Sequence, residues 1–240
     1  IERSGRRETA KKLRATISAV FRLAMVTMRA SADPSAVLKD ALLPPKVKGR
    51  SAITDEPKFG QLLRDLDAFT GAPVIRDAML FQILTCTRPG ETRGAKKPEI
   101  DLENRSWTIP PERMKMRREH KIPLSRQAYA IVLENWSKFD QVELLFPSLI
   151  STRKWLSENT FNTTLRRIGY SGEEVTAHGF RVTASTILNS REYNPDVIEA
   201  ALAHQDTNAI RRTYNRTTYW DQRVQLMQDW ADLCDEFRQS

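Results

Sequence analysis

The chain has 240 residues, of which 40% are hydrophobic and 28% are charged, a balance typical of a globular protein with one sizeable core. It carries a net charge of +8, contains no apolar run near the roughly 18 residues that a membrane span requires, and has no signal-like start. Its two cysteines, Cys86 and Cys234, are too far apart to indicate a disulfide framework or a zinc knuckle, so we expect a protein of the reducing cytosol.

The positive charge is concentrated at one end of the chain. Residues 1–50 contain 12 Lys and Arg against 4 Asp and Glu, an excess that equals the net charge of the whole chain. A second basic stretch, residues 105–126, has seven basic and two acidic side chains. Concentrated positive charge beside a neutral body favours contact with nucleic acid phosphates, although a solvated helix face is the alternative.

The N-terminal segment is predicted to be helical. Apolar residues repeat at steps of three and four from Leu13 to Met28, so residues 7–30 are predicted to form one amphipathic helix. A second short helix is predicted after Asp33 and Pro34. The stretch that follows residue 43 begins with two prolines, which make it stiff, and continues with the basic residues Lys46, Lys48 and Arg50. This composition is typical of a linker.

The rest of the chain is predicted to be mainly helical around one small sheet. Thr54 can cap a helix with a buried stripe from Phe59 to Phe69, and residues 74–84 form a second, fully buried helix. Short stretches at 99–102, 106–109 and 120–124 predict an antiparallel sheet. The pattern is helical again at 125–138, 158–168, 177–190, 195–203, 207–213 and 218–237.

Five basic or aromatic residues occur in a fixed order within this part of the chain. They are Arg88 in Thr-Arg-Pro-Gly-Glu, His178 and Arg181 in His-Gly-Phe-Arg, His204 in Leu-Ala-His-Gln, and Tyr214 near the end. Two arginines can neutralise the non-bridging oxygens of a phosphodiester, and two histidines can hydrogen-bond or transfer protons. A tyrosine phenolate can attack phosphorus, so the set favours phosphoryl transfer.

This order and spacing resembles that of the tyrosine recombinases, and more closely the integrases of phages and genomic islands, of the P4-like prophage type. The resemblance runs from about Glu8 to Trp230. It implies a mainly α fold with a small three-stranded antiparallel sheet, the DNA breaking-rejoining fold of the integrase catalytic core. It also implies a C-terminal remnant of a helical core-binding domain at 1–43, a basic linker at 44–53, and a catalytic domain with a C-terminal interaction helix at 54–240.

The resemblance implies a role for each of the five residues. Arg88 and Arg181 would stabilise the pentavalent phosphorus, and Tyr214 would attack it. His178 would assist proton removal, and His204 would hydrogen-bond a phosphate oxygen. Because tyrosine has an ordinary pKa of about 10, the phenolate needs the positive field of the arginines.

Three further positions bear on this chemistry. Lys115 lies between the second and third predicted strands, where the family has a lysine that protonates the leaving 5′ oxygen. Glu91 follows the first arginine by three residues, a spacing that lets its carboxylate orient the guanidinium. The chain has Cys86 where many family members have glycine. Tyr219 is the nearest rival nucleophile, although its place at the start of an amphipathic helix favours packing.

Basic residues around the site are predicted to contact the DNA backbone. They are Lys46, Lys48, Arg50, Arg113, Arg117, Arg118, Arg211 and Arg212. The expected partner is double-stranded DNA at attachment sites. The chain is expected to be a homotetramer in the synaptic complex and a monomer when it is free of DNA, with an excision factor as a further partner. No metal or other cofactor is expected, because the two arginines fill the charge-neutralising role of a metal. No membrane is expected either, since the sequence has no apolar run of sufficient length.

The predicted function is therefore site-specific DNA recombination through a 3′-phosphotyrosyl intermediate, which integrates or excises a prophage or genomic island in the bacterial nucleoid. A type IB topoisomerase is one alternative, because it shares this chemistry but relaxes DNA without a partner duplex. A non-catalytic DNA-binding prophage remnant is the other. The apolar stripe of the last predicted helix fits either a neighbouring protomer or the chain's own core; it consists of Trp220, Val224, Met227, Trp230 and Leu233.

Overall fold

The computed structural model describes residues 1–44, 49–204 and 219–240, and the chain divides into two compact units, Ile1–Gly49 and Arg50–Ser240. The first unit contains one long helix, α1 (Arg7–Val26), followed by a 3₁₀ turn at Ala36–Leu38. The helix predicted at 7–30 thus ends earlier, before Met28, which adopts a left-handed φ of 56°. The second predicted helix is only this short turn.

The described part of the second unit is mainly helical with one small sheet, so the predicted fold class is confirmed. Its helices are α2 (Glu56–Asp67), α3 (Pro73–Thr85), α4 (Pro89–Arg93), α5 (Arg126–Lys138), α6 (Thr160–Arg167), α7 (Gly179–Ser190), α8 (Pro195–Ala201) and α9 (Trp220–Gln239). Its strands, β1 (Ile100–Asp101), β2 (Ser106–Ile109) and β3 (His120–Pro123), pair antiparallel in that order. None of the described helices is long and apolar enough to cross a lipid bilayer.

Side-chain caps fix where several helices begin. The carboxylate of Asp55 accepts a hydrogen bond of 3.1 Å from the backbone N–H of Lys58 at the start of α2. The predicted cap at Thr54 is therefore wrong by one residue, because the neighbouring aspartate is at least as good a cap and lies at the helix boundary. The hydroxyl of Ser125 caps α5 in the same way, accepting from the N–H of Ala128 at 3.2 Å.

The hydrophobic core is built around α3, and the last helix, α9, packs against it. All residues of α3 from Val74 to Thr85 except Arg76 are buried. From α9, the indole of Trp230 stacks on Phe59 with ring centroids 5.8 Å apart. Its Nε1 also donates to the carbonyl of Ile83 at 2.9 Å. The core therefore joins α2, α3 and α9.

This packing decides between the two interpretations of the apolar stripe in α9. Met227, Trp230 and Leu233 are buried in the chain's own domain, whereas Val224 remains exposed. Helical spacing defines a face but not what covers it, and here the domain itself covers most of that face. Contact of the rest of α9 with a neighbouring protomer stays a prediction.

Candidate active site

The first arginine lies at a sharp turn between α3 and α4. Cys86 ends α3 with φ 51° and ψ 27°, a left-handed conformation that glycine adopts with less strain. Arg88 then precedes the short helix α4, which begins at Pro89 and was not predicted. Burial raises the pKa of the Cys86 thiol to about 12, so this side chain is uncharged near neutral pH.

A buried carboxylate fixes both the backbone and the side chain of Arg88. Glu91, only 5% exposed, accepts from the Arg88 N–H at 2.8 Å and from its Nη1 at 2.7 Å. The Arg88 side chain is 20% exposed, so part of the guanidinium remains accessible to a ligand. A guanidinium has five N–H donors, and Glu91 therefore leaves donors for a phosphate.

The second arginine is buried among neutral acceptors. Arg181, on α7, is 5% exposed and donates from Nη1 to the carbonyl of Cys86 and from Nη2 to the carbonyl of Leu202. Burial, with a contribution from Arg88, lowers the pKa of Arg181 to about 10, which leaves the group charged at neutral pH. Burial of a charge among uncharged acceptors is costly, and such arrangements are typical of functional sites.

The histidine of the His-Gly-Phe-Arg motif lies directly before α7. Burial lowers the pKa of His178, and the positive charges of Arg50, Arg181 and Arg88 lower it further. The imidazole is therefore neutral near pH 7, the form that can accept a proton.

The glycine of this motif allows the start of α7 to approach a neighbouring segment. A Cβ atom on Gly179 would lie 2.1 Å from the carbonyl oxygen of Ser51. That same carbonyl accepts a hydrogen bond of 3.2 Å from the N–H of Thr176. Any larger residue would push the start of α7, and with it His178, away from this segment.

The fourth predicted residue of the site, His204, follows α8. The His204 Nδ1 lies 2.9 Å from Oε2 of Glu199, and its backbone N–H donates to the Glu199 carbonyl at 3.0 Å. Its side chain is exposed. Leu202, whose carbonyl binds Arg181, lies two residues before His204, so the end of α8 connects both groups.

Lys115 is exposed in the turn of the β2–β3 hairpin. Among the residues that the structure describes, its side chain makes no hydrogen bond or ion pair. Arg117 and Arg118, in the same turn, are also exposed. The turn between the two strands therefore presents three cations to solvent.

Arg113, predicted to contact DNA, is instead engaged within the domain. Its Nη1 donates to both carboxylate oxygens of Glu99, and its Nη2 donates to the carbonyl of Glu91 at 2.6 Å. Its guanidinium also lies 5.6 Å from the ring centroid of Trp155. The side chains of Arg113 and Glu99 are nearly buried, at 12% and 10% exposure. This arginine joins the base of the hairpin to α4.

Arg113→Ala is expected to destabilise the domain by about 3–5 kcal/mol, because it leaves the Glu99 carboxylate buried without its cation. Arg118→Ala, at an exposed position, is the matched control and should change stability by less than about 0.5 kcal/mol. Urea denaturation of both variants measures the difference in the free energy of unfolding. Equal stability of the two variants would show that the Arg113–Glu99 pair contributes little to folding.

Arg88, Arg181 and neutral His178 form a partly buried, positively charged site that suits a phosphodiester. The guanidinium groups can bind non-bridging oxygens, and the imidazole can accept a proton. Within residues 1–44, 49–204 and 219–240, no group of three or more His, Cys, Asp or Glu side chains could hold a metal.

Comparison with known proteins assigns the chain to a family. The phage integrase family model matches residues 55–220, and the phage integrase central domain model matches residues 1–41. The chain belongs to the phage integrase family.

Relatives support the same assignment. The chain is 39% identical over 233 residues to the prophage integrase IntA of Escherichia coli (strain K12), a match that covers 97% of this chain and 56% of that protein. It is 33% identical over 250 residues to the integrase of Enterobacteria phage P4, covering 98% and 57%. The chain thus spans little more than half the length of these curated relatives.

Solved structures share the fold at low sequence identity. A lambda integrase dimer bound to a COC′ core site has a TM-score of 0.63 and 18% identity, covering 85% of this chain and 74% of that one. A lambda integrase tetramer bound to a Holliday junction has a TM-score of 0.64 and 19% identity, covering 86% and 61%. The predicted integrase catalytic fold is confirmed.

Several of the predicted site and DNA-binding residues lie outside the described residues. They are Tyr214, Arg211, Arg212, Lys46 and Lys48. The rival tyrosine, Tyr219, is described; it precedes α9 with φ 49° and packs against the hydrophobic core, as its position predicted.

Two residues that hold the elements around the candidate site were not singled out by the sequence pattern. His120, on β3, has Nε2 3.2 Å from the carbonyl oxygen of Ala201. Arg223, on α9, is buried and donates from Nη2 to the carbonyl of Lys121. The available signal was that the chain has only three histidines, and that two of them already belonged to the predicted site.

Proposed function

We propose that this integrase-family chain cleaves and rejoins DNA strands at specific sites through a 3′-phosphotyrosyl intermediate. The observation that carries the proposal is the arrangement of Arg88, Arg181 and neutral His178, which unites two cations and a proton acceptor in one site. Membership in the phage integrase family supports the same activity. It does not favour a topoisomerase or a non-catalytic remnant.

In the proposed reaction, the Tyr214 hydroxyl attacks the scissile phosphorus and its proton passes to His178. A bond forms between the tyrosine oxygen and phosphorus, and the bond from phosphorus to the 5′ oxygen breaks. Arg88 and Arg181 stabilise the added negative charge of the pentavalent phosphorus, and His204 hydrogen-bonds a phosphate oxygen. Lys115 donates the proton that the leaving 5′ oxygen requires.

Rejoining is the reverse step with a different strand. A 5′ hydroxyl attacks the phosphotyrosine, the phosphodiester is restored, and the tyrosine is released. One phosphoester bond is exchanged for another, so the energy of the original bond is conserved and ATP is not consumed. Glu91 supports the reaction by holding Arg88 rather than by touching DNA.

The exposed basic residues are proposed to contact the DNA backbone. Arg50, Arg117 and Arg118 are exposed in the structure, whereas Arg113 is removed from this set because Glu99 binds it. Lys46, Lys48, Arg211 and Arg212 complete the proposed contacts. Residues 1–43 are proposed as part of a core-binding domain, 44–53 as a linker, and 54–240 as the catalytic domain; the family matches at 1–41 and 55–220 support this division.

The proposed partners are duplex DNA at attachment sites and further copies of this chain. Two structurally similar assemblies of lambda integrase are a dimer bound to a core site and a tetramer bound to a Holliday junction. The tetramer supports a homotetramer of this chain during strand exchange. A monomer is proposed when DNA is absent, and an excision factor is proposed as an additional partner. The DNA would be that of a bacterial nucleoid, because the relatives are prophage integrases.

A nicked duplex that carries the end of the mobile element tests the function. The nick lets the cleaved 5′ fragment diffuse away, so the protein should remain attached to the 3′ phosphate and migrate as a covalent adduct in a denaturing gel. The full chain is used, with any sequence that precedes it in the natural protein. Cleavage without a covalent adduct would contradict the proposal, and relaxation of plasmids that lack the site would favour a topoisomerase instead.

A further inference from the structure

Two consecutive residues of β3 hold two helices of the domain. His120 Nε2 lies 3.2 Å from the carbonyl oxygen of Ala201, the last residue of α8. The carbonyl of the next residue, Lys121, accepts a hydrogen bond from Arg223 of α9. β3, the second strand of the hairpin that carries Lys115, therefore contacts both α8 and α9.

The end of α8 is a junction of the active site. His120 binds the carbonyl of Ala201, and Arg181 binds the next carbonyl, that of Leu202. The chain then turns at Ala203, with a left-handed φ of 49°, directly into His204. The two carbonyl contacts thus fix the direction from which His204 follows the helix.

The environment of His120 suits a neutral hydrogen-bond donor. Burial lowers its pKa to about 3, and the nearby cations Arg223, Arg181 and Arg88 contribute to the decrease. The imidazole is therefore neutral near pH 7, and its Nε2–H can donate to the Ala201 carbonyl. A neutral anchor holds the helix end without adding another cation beside Arg181. Because it lacks the second ring proton of an imidazolium, it cannot act as a general acid in this pH range.

We propose that His120 is a positioning residue for DNA cleavage: it holds the Ala201 carbonyl and so keeps His204, three residues later, in place at the scissile phosphate. This inference rests on the proposed function. His120 acts through α8 and does not touch the DNA. We expect its removal to slow cleavage by about 10- to 100-fold, the range found for contacts that orient the ligands of metal sites.

The first test measures single-turnover adduct formation on the nicked duplex. His120→Leu, which removes the donor, should slow adduct formation by about 10- to 100-fold. His120→Gln, which retains an N–H donor at a similar distance, should restore most of the rate. If His120 acts through His204, the effect of His120→Leu should nearly disappear in a His204→Ala background, whereas independent roles would give additive effects.

The second test measures the position of α8 without relying on activity. The backbone N–H groups of Leu202, Ala203 and His204 all donate to carbonyls of α8. Hydrogen exchange at these amides should become faster in His120→Leu, while α5 remains as protected as in the wild type. Val132→Ala, a buried substitution in α5, is the stability control. It should lower the melting temperature without slowing adduct formation or selectively exposing α8.

The outcomes separate this inference from the proposed function. Wild-type adduct rates in His120→Leu, or additivity with His204→Ala, would overturn the positioning role. Unchanged exchange at residues 202–204 would overturn it as well. Absence of any adduct with the wild-type chain would count against the proposed function, and the exchange experiment would still decide whether His120 holds the end of α8.

Discussion

Replacing Tyr214 by phenylalanine is expected to abolish the covalent protein–DNA adduct and to leave the affinity for DNA nearly unchanged. Phenylalanine lacks the oxygen that attacks phosphorus, so no phosphotyrosyl bond can form. Cations at the phosphate backbone contribute a large share of the affinity of DNA-binding proteins, and this substitution removes none of them. Removal of a nucleophile that acts only in the chemical step should therefore lower the reaction rate without changing the affinity for DNA.

Tyr219→Phe is the matched control for this substitution. Tyr219 lies five residues later and packs against the hydrophobic core before α9. Its variant should keep the adduct at close to the wild-type rate. Denaturing gels with end-labelled nicked DNA measure the adduct, and gel mobility shifts measure binding. If the adduct survives in Tyr214→Phe and disappears in Tyr219→Phe, the nucleophile is Tyr219.

Much of the fold could be predicted from periodicity alone. The helices at 56–67, 73–85, 126–138, 160–167, 179–190 and 195–201 and the three strands lie within a few residues of their predicted positions. Their apolar residues repeat with a clear helical or strand period, which depends only on local geometry. The motifs of Arg88 and of His178 with Arg181 could be identified for a related reason, because each is a short sequence with its own spacing.

The remaining features depend on contacts between distant parts of the sequence. The buried face of α9 could not be assigned, because the spacing of Trp230 does not reveal that Phe59 lies against it. The basic composition of the hairpin did not distinguish Arg113 from its neighbours, since its partner Glu99 lies fourteen residues away in the sequence. His120 has no motif of its own. Its importance is visible only where β3 meets the end of α8.

The turn at Cys86 shows a different limit of sequence-based prediction. A left-handed residue is normally indicated by glycine, and a cysteine by itself gives no such signal; only the glycine of many family members at this position pointed to it. Its conformation is set by its surroundings: the side chain is buried and its carbonyl binds Arg181. The same contact therefore explains the turn and the placement of the second arginine.

Arg88→Lys is expected to slow adduct formation by about 100- to 1,000-fold, the cost of removing one preorganised donor to a developing oxyanion. The guanidinium of Arg88 can bind Glu91 through one nitrogen and a phosphate through the others. A lysine ammonium is a single point of charge and cannot hold both partners in the same planar arrangement. The same substitution at the exposed Arg126, which pairs with Asp232, should leave the rate unchanged.

The salt dependence of DNA binding makes this prediction specific to the transition state. Lysine keeps the positive charge, so Arg88→Lys should neutralise the same number of phosphates and leave the slope of log affinity against log salt concentration unchanged. Adduct formation should nevertheless fall, because the lost interaction is stronger in the pentavalent transition state than in the bound substrate. If affinity and cleavage decrease by the same factor, Arg88 contributes to binding alone, and the electrostatic stabilisation of the reaction must come mainly from Arg181.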